Sequence, residues 1–262
     1  MSGGGDRGGP LARLRRYTPA RIGLGRAGPA LPTREVLSLG LAHARARDAV
    51  HAALDVPGLL ADLAAAGVSP APPVVRSAAP DRATYLLRPD LGRRLAPGEP
   101  ERLAERAVLA LVVADGLSAL AVQRHAVPLV AALRARAPER WGRAAVVVAL
   151  QARVALGDEI GARLGARLVA LLIGERPGLG SPDSLGVYLT HAPRPGRSDA
   201  ERNCVSNVRA AGLSYDEAAR RVDWLAAAAL ERGLTGVALK DESDATLPGR
   251  GRAGLPEPPT VP

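Results

Sequence analysis

Three short stretches carry residue types suited to holding a ligand: Asp115-Gly-Leu-Ser118, Gln151-Ala-Arg-Val154 and Gly174-Glu-Arg-Pro-Gly-Leu-Gly180. Each directly follows an apolar run. The runs are Val108-Leu-Ala-Leu-Val-Val-Ala114, Ala144-Val-Val-Val-Ala-Leu150 and Arg167-Leu-Val-Ala-Leu-Leu-Ile173, and they read as strands buried on both faces. In open parallel sheets, ligands bind outside the carboxyl ends of the strands, near a topological switch point. That rule selects these segments. Glycine and proline in the third suit a ligand lying close to the backbone, and Glu175 is its natural polar contact.

Other chemistry-bearing residues fit less well. Cys204, the sole cysteine, lies in Asp199-Ala-Glu-Arg-Asn-Cys-Val-Ser-Asn207 with no histidine nearby in sequence. It reads as a nucleophile or, better, as a packed cysteine. The stretch from Arg194 to Arg209 is polar and arginine-rich, suited to phosphate or amide groups or simply to a solvated loop. His43, His51, His125 and His191 have no ligand spacing and read as surface or partly buried imidazoles. No paired cysteines exist for zinc, no Walker A loop is present, and no catalytic or metal-binding residue is expected in this chain. Gly23, Gly25 and Gly28 match G-x-G-x-x-G, but Pro19 precedes them where a strand would be needed, so a loop is expected.

The elements that must position the three stretches alternate strand and helix. A helix is expected from about Ser118 to Arg136, ended or kinked at Pro128. A shorter one spans Gly157 to Leu164 and stops at Gly165. Leu185–Thr190 reads as a fourth strand and Gly236–Leu239 as a last short one. Ser214-Tyr-Asp-Glu217 is a capping box opening a long amphipathic helix that ends near Gly233. Upstream, Thr33 is placed to cap a helix to about Ala53, with an apolar stripe through Val36, Leu37, Leu41 and Ala44, and a second helix covers about 58–66 before Gly67. The fold class is therefore α/β: a Rossmann-like open, mostly parallel sheet with helices on both faces, preceded by an irregular helical N-terminal arm. The expected organisation is a disordered tail at 1–10, an arm with helices at 11–104, the Rossmann-like ligand-contacting domain at 105–240, and a second disordered tail at 241–262.

Composition sets outer limits. The chain has 262 residues, 47% of them hydrophobic, enough for a sizeable core. Its net charge of +9 invites nucleic acid as a partner. Against that, Lys240 is the only lysine among 35 basic residues, the arginines are interspersed with acids, and aromatic residues are only 2%. No nucleic-acid partner is expected. No apolar run of membrane-spanning length occurs, and the first ten residues lack the apolar segment of a secretory signal. A single cysteine excludes an internal disulfide and fits a reducing cytoplasm.

Several segments together resemble the small subunit of ethanolamine ammonia-lyase. They are Thr18-Pro-Ala-Arg-Ile-Gly-Leu-Gly-Arg-Ala-Gly28, Tyr85-Leu-Leu-Arg-Pro-Asp-Leu-Gly-Arg-Arg-Leu95, Ala114-Asp-Gly-Leu-Ser118, Gly157-Asp-Glu-Ile-Gly161, Ile173-Gly-Glu-Arg-Pro-Gly-Leu179 and Arg202-Asn-Cys-Val-Ser-Asn207. Each is weak alone; six in order from about 17 to about 240 are specific. The resemblance implies an adenosylcobalamin-dependent enzyme that deaminates ethanolamine to acetaldehyde and ammonia by radical chemistry belonging to the cofactor. It implies a large barrel subunit that binds ethanolamine, with the small subunit covering cobalamin at the interface and inactive alone. It also implies three cofactor contacts at the matching positions, Val154, Glu175 and Cys204, and shifts Cys204 toward a wall of the cofactor site. A cytoplasmic location is expected; the Gly-rich start of the chain leaves a bacterial microcompartment as the alternative. Two other functions compete: a stand-alone nucleotide- or flavin-binding α/β enzyme, which would need a phosphate loop where Asp115-Gly-Leu-Ser118 stands, and a non-catalytic interaction protein.

Overall fold

The computed structural model describes residues 14–15, 17–18, 20–103 and 106–246. Of the tails expected at 1–10 and 241–262, residues 1–10 and 247–262 lie outside the described residues. Residues 241–246 are described: Ser243–Thr246 form a 3-10 turn, and Asp244 Oδ1 pairs with Arg220 at 2.5 Å.

Six strands form one sheet in the order β1-β3-β2-β4-β5-β6. They are β1 Val74–Arg76, β2 Leu109–Ala114, β3 Ala145–Leu150, β4 Leu168–Gly174, β5 Leu185–His191 and β6 Asn203–Val208. The first four pair in parallel; β5 and β6 are antiparallel additions at one edge. The helices are α1 Thr33–His51, α2 Val56–Ala65, α3 Arg82–Leu87, α4 Ala119–Arg136, α5 Pro138–Trp141, α6 Leu156–Arg163 and α7 Tyr215–Arg232.

Alternation along the central strands explains their unbroken apolar runs. Leu109, Leu111 and Val113 face a core built with α2, α4 and α7, whereas Ala110, Val112 and Ala114 face a second core with Leu156 and Ile160 of α6. The fold is thus α/β with helices on both faces. From β2 the chain crosses to β3 on one side, then returns past β2 to β4 on the other. Right-handed crossovers in opposite directions must place α4 and α6 on opposite faces, as they are.

Several local expectations need correction. β6 lies inside the stretch read as a polar loop, and β1 lies in the expected arm; both join the sheet. Gly236–Ala238 is a 3-10 turn, not a strand. Gly236 has φ +86°, its N–H donates to Asn203 Oδ1 at 2.9 Å, and Val237 points to solvent. Pro32, not Thr33, occupies the cap of α1, and no side chain caps that helix. Pro128 neither ends nor breaks α4. It and Arg124 are both exposed, so the carbonyl freed at Arg124 can be hydrated while Leu129, Val130 and Leu133 hold the second half on the sheet. Ser214 does cap α7, accepting from the Glu217 N–H at 3.3 Å, but the Glu217 carboxylate turns to Arg220 and Arg221 instead of completing the box.

Two substitutions test this packing. A Cβ on Gly174 would sit 2.0 Å from the Ser118 carbonyl oxygen, so Gly174→Ala should cost on the order of 3 kcal/mol in thermal or urea unfolding. Gly40, inside α1 with open space around it, is the contrast: Gly40→Ala should be neutral or stabilise by up to about 1 kcal/mol. Hydrogen bonding from Arg220 above all, with Arg221, holds Glu217 down at about 2, against an ordinary 4.5. Its contribution is complete above pH 4.5 and lost as pH falls toward 2. Glu217→Gln should therefore cost on the order of 0.5 kcal/mol at pH 7, a deficit that shrinks through that acid window in melts of parent and variant.

Candidate functional site

The switch point falls between β2 and β4, where the chain reverses its direction of winding. Asp115, 4% exposed, closes the end of β2. Its Oδ1 accepts from the N–H groups of Gly116 at 2.8 Å and Ala152 at 3.1 Å, and Oδ2 accepts from Gln151 N–H at 2.8 Å. One carboxylate thereby ties the end of β2 to the end of β3. Burial pushes its pKa up; the backbone donors and Arg82 pull the other way. On the other side, Gly116 (φ +58°) and Gly174 bring the ends of β2 and β4 together backbone to backbone: Leu117 N–H donates to the Gly174 carbonyl at 2.9 Å. Gln151 and Asn207, at the carboxyl ends of β3 and β6, take φ of +54° and +61°, so this sheet edge also holds two strained side-chain-bearing residues.

A cavity of about 440 Å³ opens at this edge. Leu117, Val154 and Ile173 give it apolar walls, Arg153, Glu175 and Arg176 supply its charges, and Tyr188 comes from β5. Val154 and Glu175, two of the three expected contacts, therefore line one space. Glu175 is anchored through one oxygen: Ser184 Oγ and, at 3.3 Å, Asn207 N–H donate to Oε2, while its own N–H donates to the Ser184 carbonyl at 2.9 Å. The side chain lies across Gly186, where a Cβ would come within 2.8 Å of Oε1. Among the described residues, Oε1 has no donor. Cys204 is not in the wall. It sits opposite Tyr188 in the β5–β6 ladder, exposed, with burial of its thiol pushing the pKa up, the Tyr188 hydroxyl opposing and Glu175 adding to the rise. A raised thiol pKa argues against a nucleophile.

The wall carrying Val154 is built from the arm. Tyr85 of α3 is fully buried and donates its hydroxyl hydrogen bond to the Ala152 carbonyl at 3.0 Å; burial, opposed chiefly by Arg153, pushes its pKa up to about 12. The Arg153 guanidinium stacks 4.3 Å from the Tyr85 ring centre and donates to the Tyr85 carbonyl at 3.0 Å. Gly92 admits it: the Arg153 N–H donates to the Gly92 carbonyl at 2.8 Å, and a Cβ on Gly92 would meet Arg153 Cγ at 2.7 Å. Arg82 donates to the carbonyls of Val50 and Gly116, each at 2.7 Å, joining α1, α3 and the end of β2. Sequence reasoning left Arg82, Tyr85, Gly92, Arg176 and Tyr188 without roles. The only pointer was the Tyr85–Leu95 segment, whose mix of aromatic, Gly and Arg residues has no periodicity to interpret.

The loop from β4 to β5 is held at its far end. Ser118 Oγ donates to the Pro182 carbonyl at 3.0 Å, and Arg124 donates to Asp183 Oδ2 at 2.8 Å. His125, 5% exposed and so more buried than expected, sits between the Tyr215 hydroxyl (2.9 Å from Nδ1) and Asp183 (3.6 Å from Nε2). Burial lowers its pKa while Asp183 raises it. Among the described residues, no group of three or more His, Cys, Asp or Glu could hold a metal ion, and no helix is long and apolar enough to cross a membrane.

Residues 9–240 match the family described as ethanolamine ammonia-lyase light chain (EutC). Proteins named ethanolamine ammonia-lyase small subunit are similar along nearly their whole length. The one from Bradyrhizobium diazoefficiens is 58% identical over 95% of this chain and 97% of its own. Those from Rhodopseudomonas palustris and Azotobacter vinelandii are 57% and 54% identical, over 89% and 92% of this chain and 90% and 92% of their own lengths. With a match over most of the chain and identities well above half, the chain belongs to the ethanolamine ammonia-lyase light-chain family.

Proposed function

We propose that this chain is the small subunit of an adenosylcobalamin-dependent ethanolamine ammonia-lyase, and that the cavity between the ends of β2 and β4 receives one edge of the cofactor. The observation that carries this reading is the convergence of Val154 and Glu175 on one space at the switch point, with apolar walls and a carboxylate oxygen, Oε1, left without a donor among the described residues. The donor set fits the group. Cobalamin presents an apolar ring fringed with amides: Val154, Leu117 and Ile173 can pack on the ring edge, and Glu175 Oε1 can accept from an amide N–H. A cavity of about 440 Å³ is far smaller than the whole cofactor, so the remainder must lie against a large partner subunit, which also binds ethanolamine.

When bound, adenosylcobalamin supplies the radical chemistry that removes ammonia from ethanolamine. This chain's residues bind and orient. Residues 105–240 form the unit facing the cofactor, and residues 11–104 buttress it through Tyr85 and Arg82. Cys204 contributes from outside the cavity, as the ladder partner of Tyr188, which lines it. A cytoplasmic location suits this role, with a bacterial microcompartment as the alternative. A stand-alone nucleotide enzyme is disfavoured because Asp115 already occupies the N–H groups of Gly116, Gln151 and Ala152, which a phosphate at the end of β2 would need.

The purified chain alone should not turn over ethanolamine, and lyase activity should appear on mixing with the large subunit and adenosylcobalamin; turnover by the isolated chain would contradict the division of roles. In assembled complexes, Glu175→Gln should weaken cobalamin binding about tenfold, the lower end expected for a hydrogen bond to a charged group, with an unchanged melting temperature. Val154→Trp should block the ring edge and lose more. Parental cobalamin affinity in Glu175→Gln would remove Glu175 from the contact set.

A further inference from the structure

Several arginines of this chain are paired with its own acids. Arg88 pairs with Asp90, Arg124 with Asp183, Arg140 with Asp223, Arg197 with Glu201, Arg202 with Asp158 and Arg220 with Glu217. Two arginines at the candidate cavity are not so paired. Arg153 and Arg176 both line it, and among the described residues neither has a carboxylate within 4.0 Å. Glu175, the one acid in the wall, is engaged with Ser184 and the Asn207 N–H. Two guanidinium groups thus share one cavity with a single carboxylate, leaving an excess of positive charge.

The two differ in how they are held. Arg153 is pre-organised: its guanidinium rests on the Tyr85 ring, it donates to the Tyr85 carbonyl, and its Nε–H is buried without an acceptor. Arg176 is exposed and, among the described residues, makes no hydrogen bond or ion pair. One fixed and one exposed guanidinium suit an anion that enters from solvent, and arginine's donors match the paired oxygens of a phosphate.

The corrin ring's amides are neutral. The anionic group that cobalamin offers is the phosphodiester of the nucleotide arm below the ring. Resting on the cofactor reading above, we infer that Arg153 and Arg176 form an anion subsite that binds this phosphodiester. They act as binding residues for the arm, not as catalytic residues.

The test uses the reconstituted complex with its large subunit and two probes: cobalamin, and cobinamide, which keeps the corrin ring and amides but lacks the nucleotide arm and its phosphodiester. Affinities of parent, Arg176→Gln and Arg153→Gln are measured by spectroscopic titration, each variant referred to the parent with the same probe. Each variant should bind cobalamin roughly tenfold to a hundredfold more weakly and cobinamide as the parent does. Equal losses with both probes would overturn the inference and place the arginines against the ring amides. Parental affinity for both, or loss of assembly with the large subunit at parental cofactor affinity, would also overturn it, the latter assigning the arginines to a partner carboxylate. Should Arg153→Gln melt early because Tyr85 loses its stacking partner, the exposed Arg176→Gln decides alone. A parent complex that takes up neither probe would bring down the cofactor reading itself, and this inference with it.

Discussion

The site depends on one buried carboxylate. Asp115 gathers three backbone N–H groups from two strand ends, and its position fixes where β2 stops, where β3 turns and how the Gln151–Val154 segment leaves the sheet. A carboxylate at 4% exposure is tolerable only with such donors and with Arg82 nearby. Next to it, Gly116 and Gly174 let the ends of β2 and β4 approach until a methyl group would not fit between them. Together these features draw three strand ends into one crevice. The winding of the sheet puts that crevice at the switch point, and the cavity follows from it.

The arm upstream of β2 works as the support of this crevice. Tyr85 reaches across to the Ala152 carbonyl, Arg153 folds back onto Tyr85, and Gly92 leaves room for both. Val154 is thus presented by contacts spanning more than sixty residues of sequence. Several arginines are held in internal pairs, including the buried pair of Arg202 with Asp158 that ties the start of β6 to α6.

Much of this was legible from residue patterns. Unbroken apolar runs ending in Asp115-Gly, Gln151 and Gly174-Glu marked the parallel strands and their ligand edge, because burial on both faces leaves a strong signature. Caps at Ser118 and Ser214 and stops at Gly67, Gly165 and Gly233 marked helix ends. β6 was hidden because only Val205 and Val208 of its six residues are buried, so Asn203-Cys-Val-Ser-Asn-Val208 looks like a loop. β1 is three residues long and follows Pro72-Pro73. At the site, Val154 and Glu175 sat directly after strands and could be placed. Arg82, Tyr85 and Gly92 could not, since their roles come from long-range packing with no local period. Cys204 was named through resemblance, and its neighbour Tyr188, the link to the cavity, belongs to a pairing that cannot be read from the chain.

The central claim is that the cofactor meets this chain at the carboxyl edge of the sheet, between β2 and β4. Amide hydrogen exchange on the assembled complex, with and without adenosylcobalamin, tests it most directly. The account predicts slowed exchange in Gly116–Ser118, Ala152–Val154, Gly174–Arg176 and Cys204–Asn207, with no change at the opposite edge around Val68–Pro73 and Gly142–Val146. Protection at that opposite edge, or no protection anywhere in this chain while cobalamin is bound, would contradict it.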